Sequence, residues 1–252
     1  MTQLLAILAV VYAAVCLLLF FYQRSLIYFP QPASRAAGAD TLELHVDGAR
    51  ILVTTRAMPS KNAVIYFGGN AEDVAYSLPS LVEAFPGQAL YLMNYRGYGR
   101  STGKPSEAVL IADALMLFDQ VAAEHASITV IGRSLGSGVA VHLASLRPTV
   151  ARLVLVTPYN SIEELAAQQF PYVPVRWILQ DKFESWRYAE QVTTPTVLIA
   201  AGHDEVIPAS STEALLGHFR KGVATLAVVP GVGHNDISND AAYLRLLRGE
   251  RL

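Results

Sequence analysis

The sequence predicts an α/β protein: a mostly parallel sheet of about eight strands, covered by helices on both faces. Short apolar runs of β type alternate with longer helical stretches along most of the chain. This alternation implies right-handed crossovers between parallel strands. The length of 252 residues suits one globular domain with a terminal segment, and no internal repeat or change of composition marks a second globular domain.

The first predicted element of the sheet is a hairpin. Residues 41–46 and 50–55 flank Asp47-Gly48, a dipeptide that tolerates the positive φ of a tight turn, so this pair should be antiparallel. The other predicted strands are apolar runs, at 63–67, 89–94, 128–131, 153–156, 196–200 and 226–229. The predicted helices lie between them, near 72–85, 106–124, 135–146, 209–220 and 237–248.

One stretch interrupts the alternation. Residues 158–191 contain no clear β run, and their aromatic residues are separated by Pro171 and Pro174. We interpret this stretch as a small cap inserted over the sheet. Its aromatic side chains either line an apolar substrate pocket or fasten the insertion to the sheet.

The composition excludes several classes of protein. Lys and Arg total 19 against 21 Asp and Glu, so the chain lacks the basic excess that nucleic-acid binding requires. Hydrophobic residues make up 52% of the chain and charged residues 16%, which excludes disorder and is compatible with membrane contact. The single cysteine, Cys16, excludes an intramolecular disulfide and a cysteine-based metal cluster.

Residues 1–24 are predicted to be a membrane anchor. From Leu4 to Tyr22 the chain has 19 uncharged residues, enough for a helix of about 28 Å. The start, Met1-Thr2-Gln3, lacks the basic residues of a cleavable signal peptide, and the apolar run is longer than such a signal needs. We therefore expect an uncleaved transmembrane helix, followed by a globular domain over 25–252.

Basic residues follow the apolar run and none precedes it. Arg24 and Arg35 lie closest to the run, so the positive-inside tendency favours a cytoplasmic globular domain. The predicted localisation is a single-pass membrane protein.

Gly132-Arg133-Ser134-Leu135-Gly136 has the pattern and the context of a nucleophile elbow. It follows the predicted strand 128–131 and precedes the predicted helix 135–146. The two glycines allow the strand and helix backbones to approach each other at a strained turn, which exposes Ser134 at the carboxyl edge of the sheet. The N-terminus of the helix offers free N–H groups to an oxyanion formed beside the serine.

A serine nucleophile needs a base and a carboxylate that orients the base. Of the six histidines, His234 follows the last predicted strand and lies at the same sheet edge as Ser134. Asp204 follows the strand at 196–200 in the equivalent place. The chain order Ser, Asp, His is the order expected for this type of sheet. We predict Ser134 as nucleophile, His234 as base and Asp204 as acid.

Neighbouring residues remain open as alternatives. Glu205 could replace Asp204 as the acid, and His203 could act as the base, although it would have to fold back on the adjacent carboxylate. Asp236 could be a helix cap. The remaining histidines are interpreted as structural: His45, His125, His142 and His218.

The predicted oxyanion hole consists of two backbone N–H groups. One belongs to Leu135, directly after the nucleophile. The other belongs to Asn70 in the loop after the strand at 63–67, where Gly68 and Gly69 allow the backbone to approach the substrate closely.

Several segments carry a resemblance to a known family: the Gly-Gly-Asn-Ala-Glu loop at 68–72, the Asn-Tyr-Arg-Gly-Tyr-Gly turn at 94–99, the elbow at 132–138, His203-Asp204, Gly233-His234 and the segment 24–30. On these segments the chain resembles the α/β-hydrolase superfamily, specifically its Bem46-type branch, over essentially its whole length. It implies a membrane anchor joined to a hydrolase domain, with Ser134, Asp204 and His234 as the catalytic triad. Relatives often have His-Gly-Asn where this chain has Gly68-Gly69-Asn70, so any role of that histidine is lost here.

The resulting hypothesis is a membrane-anchored serine hydrolase that cleaves carboxylic esters or thioesters through an acyl-serine intermediate. The expected partners are a small-molecule or lipid-like acyl ester and the membrane, with no nucleic acid, metal or cofactor. The alternatives are a serine peptidase with the same triad and a membrane-tethered binding protein that has lost the reaction.

Overall fold

The sheet determines where every candidate site residue lies. A computed structural model describes residues 1–32, 34 and 39–251 of the chain, and Arg35, used above for the orientation, lies outside them. The strands are β1 (Asp40–Val46), β2 (Ala49–Arg56), β3 (Asn62–Phe67), β4 (Ala89–Met93), β5 (Ser127–Arg133), β6 (Arg152–Val156), β7 (Thr196–Ala201) and β8 (Ala224–Val229). The helices are α1 (Thr2–Ile27), α2 (Leu78–Ala84), α3 (Glu107–Ala122), α4 (Leu135–Leu146), α5 (Ile162–Gln169), α6 (Val175–Ile178), α7 (Trp186–Ala189), α8 (Ala209–His218) and α9 (Ala241–Arg248).

The strands form one sheet in the order β1-β2-β4-β3-β5-β6-β7-β8. Strands β1 and β2 pair antiparallel across the turn at Gly48, whose φ is 68°, and β2 pairs antiparallel with β4. All later pairs are parallel, from β3 with β4 to β7 with β8. The predicted α/β class and the predicted hairpin are confirmed.

Helices cover both faces of the sheet because each central strand is apolar on both sides. On β3, Ala63 and Ile65 belong to the core under α3, α4 and α8, whereas Val64 and Tyr66 belong to the core under α2 and α9. Parallel strands that alternate with helices are buried on both faces in this way. The carboxyl ends of β5, β7 and β8 therefore meet at one open edge.

Helix α1 is one continuous helix of 26 residues that ends at Ile27, three residues beyond the predicted anchor boundary. Its most apolar stretch of 18 residues has a mean hydropathy of 3.0, and none of these residues is buried by the rest of the described chain. A helix of this length measures about 39 Å, and it is long and apolar enough to cross a membrane. Its buried residues, Gln23 and Ile27, are both in the last turns.

The last turns of α1 are fastened to the predicted cap, which carries α5, α6 and α7. The side-chain amide of Gln23 donates to the carbonyl of Ile178 at 3.0 Å and accepts from the N–H of Gln180 at 2.6 Å. The next residue, Arg24, forms an ion pair with the buried carboxylate of Asp181 at 3.0 Å. A buried amide with both ends bonded holds its neighbours in one arrangement. These contacts fasten the end of α1 to the cap.

Candidate active site

Ser134 lies on a sharp turn between β5 and α4. Its φ is 49° and its ψ is −119°, a strained conformation for a residue with a side chain. The turn is held by the Ser134 N–H, which donates to the carbonyl of Val156 on β6 at 2.9 Å. The strain places the Ser134 hydroxyl at the carboxyl edge of the sheet, as the elbow pattern predicts.

Two glycines make this turn possible. A Cβ atom at Gly132 would collide with the carbonyl oxygen of Gly136, and a Cβ atom at Gly136 would collide with the carbonyl oxygen of Phe67 on β3. Both obstacles are backbone, which cannot rotate away as a side chain can. The backbone of β3 and the first turn of α4 therefore pack at a distance that only glycine permits.

The structure brings Ser134, His234 and Asp204 together. The Nε2 atom of His234 lies 3.0 Å from the Oγ atom of Ser134, and its Nδ1 atom lies 2.9 Å from Oδ2 of Asp204. A carboxylate can only accept hydrogen bonds, so Nδ1 carries the imidazole proton and Nε2 presents a lone pair to the serine hydroxyl. His234 is 5% exposed, so this chain of hydrogen bonds is largely shielded from water.

Asp204 is held in place by its own backbone neighbours. Its Oδ1 atom accepts from the N–H groups of Val206 at 2.9 Å and Ile207 at 2.7 Å. Burial acts to raise the pKa of Asp204, but the hydrogen bonds from His234 and from these N–H groups outweigh burial, so the pKa lies below its ordinary value. The carboxylate stays ionised beside the imidazole.

The other acidic residues near the site have different contacts. The Oε2 atom of Glu205 accepts from the backbone N–H of His234 at 3.2 Å, and Oδ1 of Asp236 accepts from the N–H of Gly233 at 2.5 Å. Both carboxylates shape the loop that carries His234, and His203 is exposed on the neighbouring loop. Within the described part of the chain, no three His, Cys, Asp or Glu side chains are grouped as a metal site needs.

The N–H groups of Asn70 and Leu135, the predicted oxyanion donors, take part in none of the hydrogen bonds among the described residues. The loop that carries Asn70 lies against the elbow, since a Cβ atom at Gly69 would be 3.6 Å from the Cβ atom of Ser134. The Asn70 side chain donates to the carbonyl of Ile27 at 3.1 Å. The end of α1 therefore supports the loop that carries Asn70, the predicted oxyanion loop.

Sequence reasoning missed Glu72 and Arg133, which connect this loop to the loop of His234. The Oε2 atom of Glu72 accepts from the N–H of Gly69 at 2.8 Å and pairs with Arg133 at 3.4 Å. Arg133 also donates to the carbonyl of His234 at 3.4 Å. Burial acts to lower the pKa of Arg133, but Tyr66 and Glu72 raise it above its ordinary value, so the guanidinium stays charged. No local sequence pattern predicts this ion pair, because its two residues are 61 positions apart in the chain.

A cavity of about 1050 Å³ opens onto Ser134 and His234. Pockets for small organic ligands usually measure about 300 to 1,000 Å³. The polar end of the cavity is formed by the elbow and the oxyanion loop. The apolar walls come from α1 and the cap and include Leu19, Leu26, Leu165, Phe170, Val173 and Ile178.

Known proteins resemble this chain in sequence and in fold. The Hydrolase_4 family, described as serine aminopeptidase, S33, matches residues 59–188. A Mycobacterium tuberculosis protein described as uncharacterized is 37% identical over 251 residues, covering 92% of this chain and 87% of its own length. Protein bem46 of Schizosaccharomyces pombe is 26% identical over 259 residues, covering 91% of this chain and 85% of its own.

The fold is shared with solved structures. An esterase of Pyrococcus furiosus superposes with a TM-score of 0.69 at 18% identity, covering 88% of this chain and 97% of the esterase. The matched family segment contains β3 to β6, the elbow and most of the cap. With bem46 among its relatives, the chain belongs to the Hydrolase_4 (serine aminopeptidase, S33) family and is an α/β-hydrolase.

Proposed function

We propose that this protein is a serine hydrolase that cleaves carboxylic esters or thioesters through an acyl-serine intermediate. The observation that carries the proposal is the hydrogen-bonded series from Ser134 through His234 to Asp204, with distances of 3.0 and 2.9 Å. Ser134 is the nucleophile, His234 the general base and Asp204 the group that orients the imidazole.

The reaction follows from these positions. The Nε2 atom of His234 takes the hydroxyl proton while Oγ of Ser134 bonds to the acyl carbon, and negative charge forms on the acyl oxygen. The N–H groups of Asn70 and Leu135 stabilise that charge. The carbon–oxygen or carbon–sulfur bond then breaks, and the imidazolium protonates the departing alcohol or thiol. Water, deprotonated by His234, releases the acid and restores the serine.

Helix α1 supports a proposal for where the protein is located in the cell. We propose that residues 1–24 anchor the chain in a membrane by a single span, with the hydrolase domain over 25–252 on the cytoplasmic side. The uncharged run from Leu4 to Tyr22 and the basic Arg24 directly after it support this arrangement. Protease digestion of intact cells, compared with permeabilised cells, tests the orientation: the hydrolase domain should be cleaved only after permeabilisation.

Ester turnover tests the reaction. The full-length protein in detergent should hydrolyse p-nitrophenyl esters and acyl thioesters, and Ser134→Ala should lower kcat by at least ~10³-fold. Ser145→Ala is a matched control, since Ser145 lies further along α4 and, among the described residues, its hydroxyl bonds only the carbonyl of His142 in its own helix. Equal turnover by the Ser134→Ala variant would overturn the assignment.

The family description favours a second candidate, a peptidase with the same triad. An aminopeptidase needs a free carboxylate for the substrate ammonium group. Among the described residues, two carboxylates line the cavity, those of Glu72 and Asp73. The carboxylate of Glu72 already bonds Gly69, Tyr66, Ser77 and Arg133. The carboxylate of Asp73 already accepts from the N–H groups of Ser34 and Ala75. These contacts favour the ester reaction. Cleavage of aminoacyl p-nitroanilides without cleavage of the matching esters would support the peptidase instead.

A further inference from the structure

The cap extends along α1 well into the proposed membrane span. The Tyr12 hydroxyl donates to the backbone carbonyl of Tyr172, in the cap between α5 and α6, at 2.9 Å. Tyr12 lies near the middle of the apolar run, about 15 Å along the helix axis from Tyr22. A carbonyl at this depth needs a hydrogen-bond partner because lipid offers none, and Tyr12 supplies one. If α1 spans the bilayer, the tip of the cap lies within the hydrocarbon region of one leaflet.

The surface of the cap next to α1 is aromatic. Tyr172 is 88% exposed, Trp177 is 85% exposed and Phe170 is 40% exposed. Neither Tyr172 nor Trp177 lines the cavity, so substrate binding does not account for their exposure. Tyrosine and tryptophan are enriched where a protein meets the interface of a membrane. Arg176, exposed beside Trp177, suits the phosphate of a lipid headgroup.

The cavity also extends alongside the apolar run of α1. Leu19 belongs to the apolar run at 4–22, and it also lines the cavity that contains Ser134. In the cap, Phe170 contributes both to the cavity lining and to the exposed aromatic surface. The apolar part of the cavity thus lies between α1 and the cap, beside the segment that would be in contact with acyl chains.

We propose that the cap is inserted in one leaflet through Phe170, Tyr172 and Trp177, and that acyl chains enter the cavity directly from the bilayer, between α1 and the cap. The polar contacts Gln23–Gln180 and Arg24–Asp181 mark the level of the membrane interface. The substrate is then a long-chain acyl ester or thioester that resides in the membrane. This inference rests on the proposed anchoring and hydrolase function.

Tryptophan fluorescence tests the insertion without using activity. The chain has two tryptophans. Trp186 lies on α7 and packs beside His218 of α8. The variant Trp186→Phe therefore reports on Trp177 alone, and Trp177→Phe reports on Trp186 alone. Each full-length variant is reconstituted in phosphatidylcholine vesicles, with and without bromine atoms on the acyl chains.

The expected result is strong quenching of Trp177 by brominated lipid and a blue-shifted emission, with little change at Trp186. Quenching of Trp177 no stronger than that of Trp186 would overturn the proposal. The reading is independent of turnover, so it stands even if Ser134 is not the nucleophile.

A second experiment tests the route of entry. Trp177→Glu should lower hydrolysis of a long-chain p-nitrophenyl ester held in the same vesicles by about tenfold, because insertion of the cap is weakened. Hydrolysis of water-soluble p-nitrophenyl acetate should not change. Met116→Glu, which places the same charge at an exposed apolar position on α3, is the control and should change neither rate. Equal loss on both esters, or no loss on the vesicle ester, would contradict entry from the bilayer.

Discussion

The sheet edge that carries Ser134 and the junction between α1 and the cap are built in different ways. At the sheet edge, backbone packs on backbone: the strained Ser134 is fixed by Gly132 and Gly136, which leave no room for a side chain. At the junction, the side chains of Gln23 and Arg24 bond to residues of the cap that are far away in the sequence. Under the proposed function, the first region determines the chemistry and the second determines access to it. Variants should affect the two separately.

The largest effect is expected at the elbow. Gly136→Ala places a Cβ atom against the carbonyl of Phe67, so we expect a loss of several kcal/mol in the free energy of unfolding, or no folded protein. Gly217→Ala is the control, because a Cβ atom at Gly217 on α8 meets nothing within 4 Å. It should raise the free energy of unfolding by about 0.5 to 1 kcal/mol. Thermal unfolding in detergent measures both, and a Gly136→Ala protein as stable as the parent would contradict the packing described.

The next largest effect is expected at Asp204, on activity rather than stability. Asp204→Asn keeps the shape but turns the imidazole toward the wrong tautomer, and kcat should fall by roughly 10³- to 10⁴-fold. The pKa of Asp204 lies below its ordinary value, so its ionic contribution to stability is present above about pH 4 and is lost as the pH falls through the lower folded pKa. Ester-hydrolysis kinetics of the parent and of Asp204→Asn measure the change in kcat, and unfolding of both proteins at decreasing pH measures the contribution to stability. A kcat within tenfold of the parent would favour Glu205 as the acid.

A smaller loss is expected at the junction. Gln23→Ala leaves the carbonyl of Ile178 and the N–H of Gln180 without their partner, at a cost of about 1 to 3 kcal/mol. Covalent labelling of Ser134 by a fluorophosphonate should persist, since the elbow does not depend on this contact. Gln168→Ala, an exposed glutamine on α5, should unfold like the parent. If Gln23→Ala also unfolds like the parent, α1 is not fastened to the cap in the way described.

The smallest effect is expected where the two regions meet. The Tyr98 hydroxyl donates to the carbonyl of Asn70 and accepts from the N–H of Phe29 at 2.9 Å, just after α1. Tyr98→Phe should loosen the oxyanion loop and lower kcat roughly three- to tenfold, with KM less affected. Burial raises the pKa of Tyr98 to about 12, so the hydroxyl remains a donor across the working range of the enzyme. A change in KM alone would place Tyr98 in substrate binding instead.

The same division explains what the sequence could predict. The strands, the hairpin and the elbow are marked by residues close together in the sequence, such as Asp47-Gly48 and the glycines around Ser134, so short patterns predict them. The contacts of α1 depend on partners more than 150 residues away, as for Gln23 with Gln180. No local pattern encodes such pairs, and α1 continues to Ile27, three residues beyond the predicted anchor boundary. Likewise, the motif around Asn70 predicts a loop but not its bond to Ile27.

Covalent labelling of Ser134 tests the central claim most directly. The full-length protein in detergent is treated with a fluorophosphonate, digested and analysed by mass spectrometry, alongside Ser134→Ala and Ser145→Ala. We predict one adduct on the peptide that contains Ser134, the same adduct in Ser145→Ala and none in Ser134→Ala. Labelling at another serine, or folded protein that stays unlabelled at Ser134, would contradict the account.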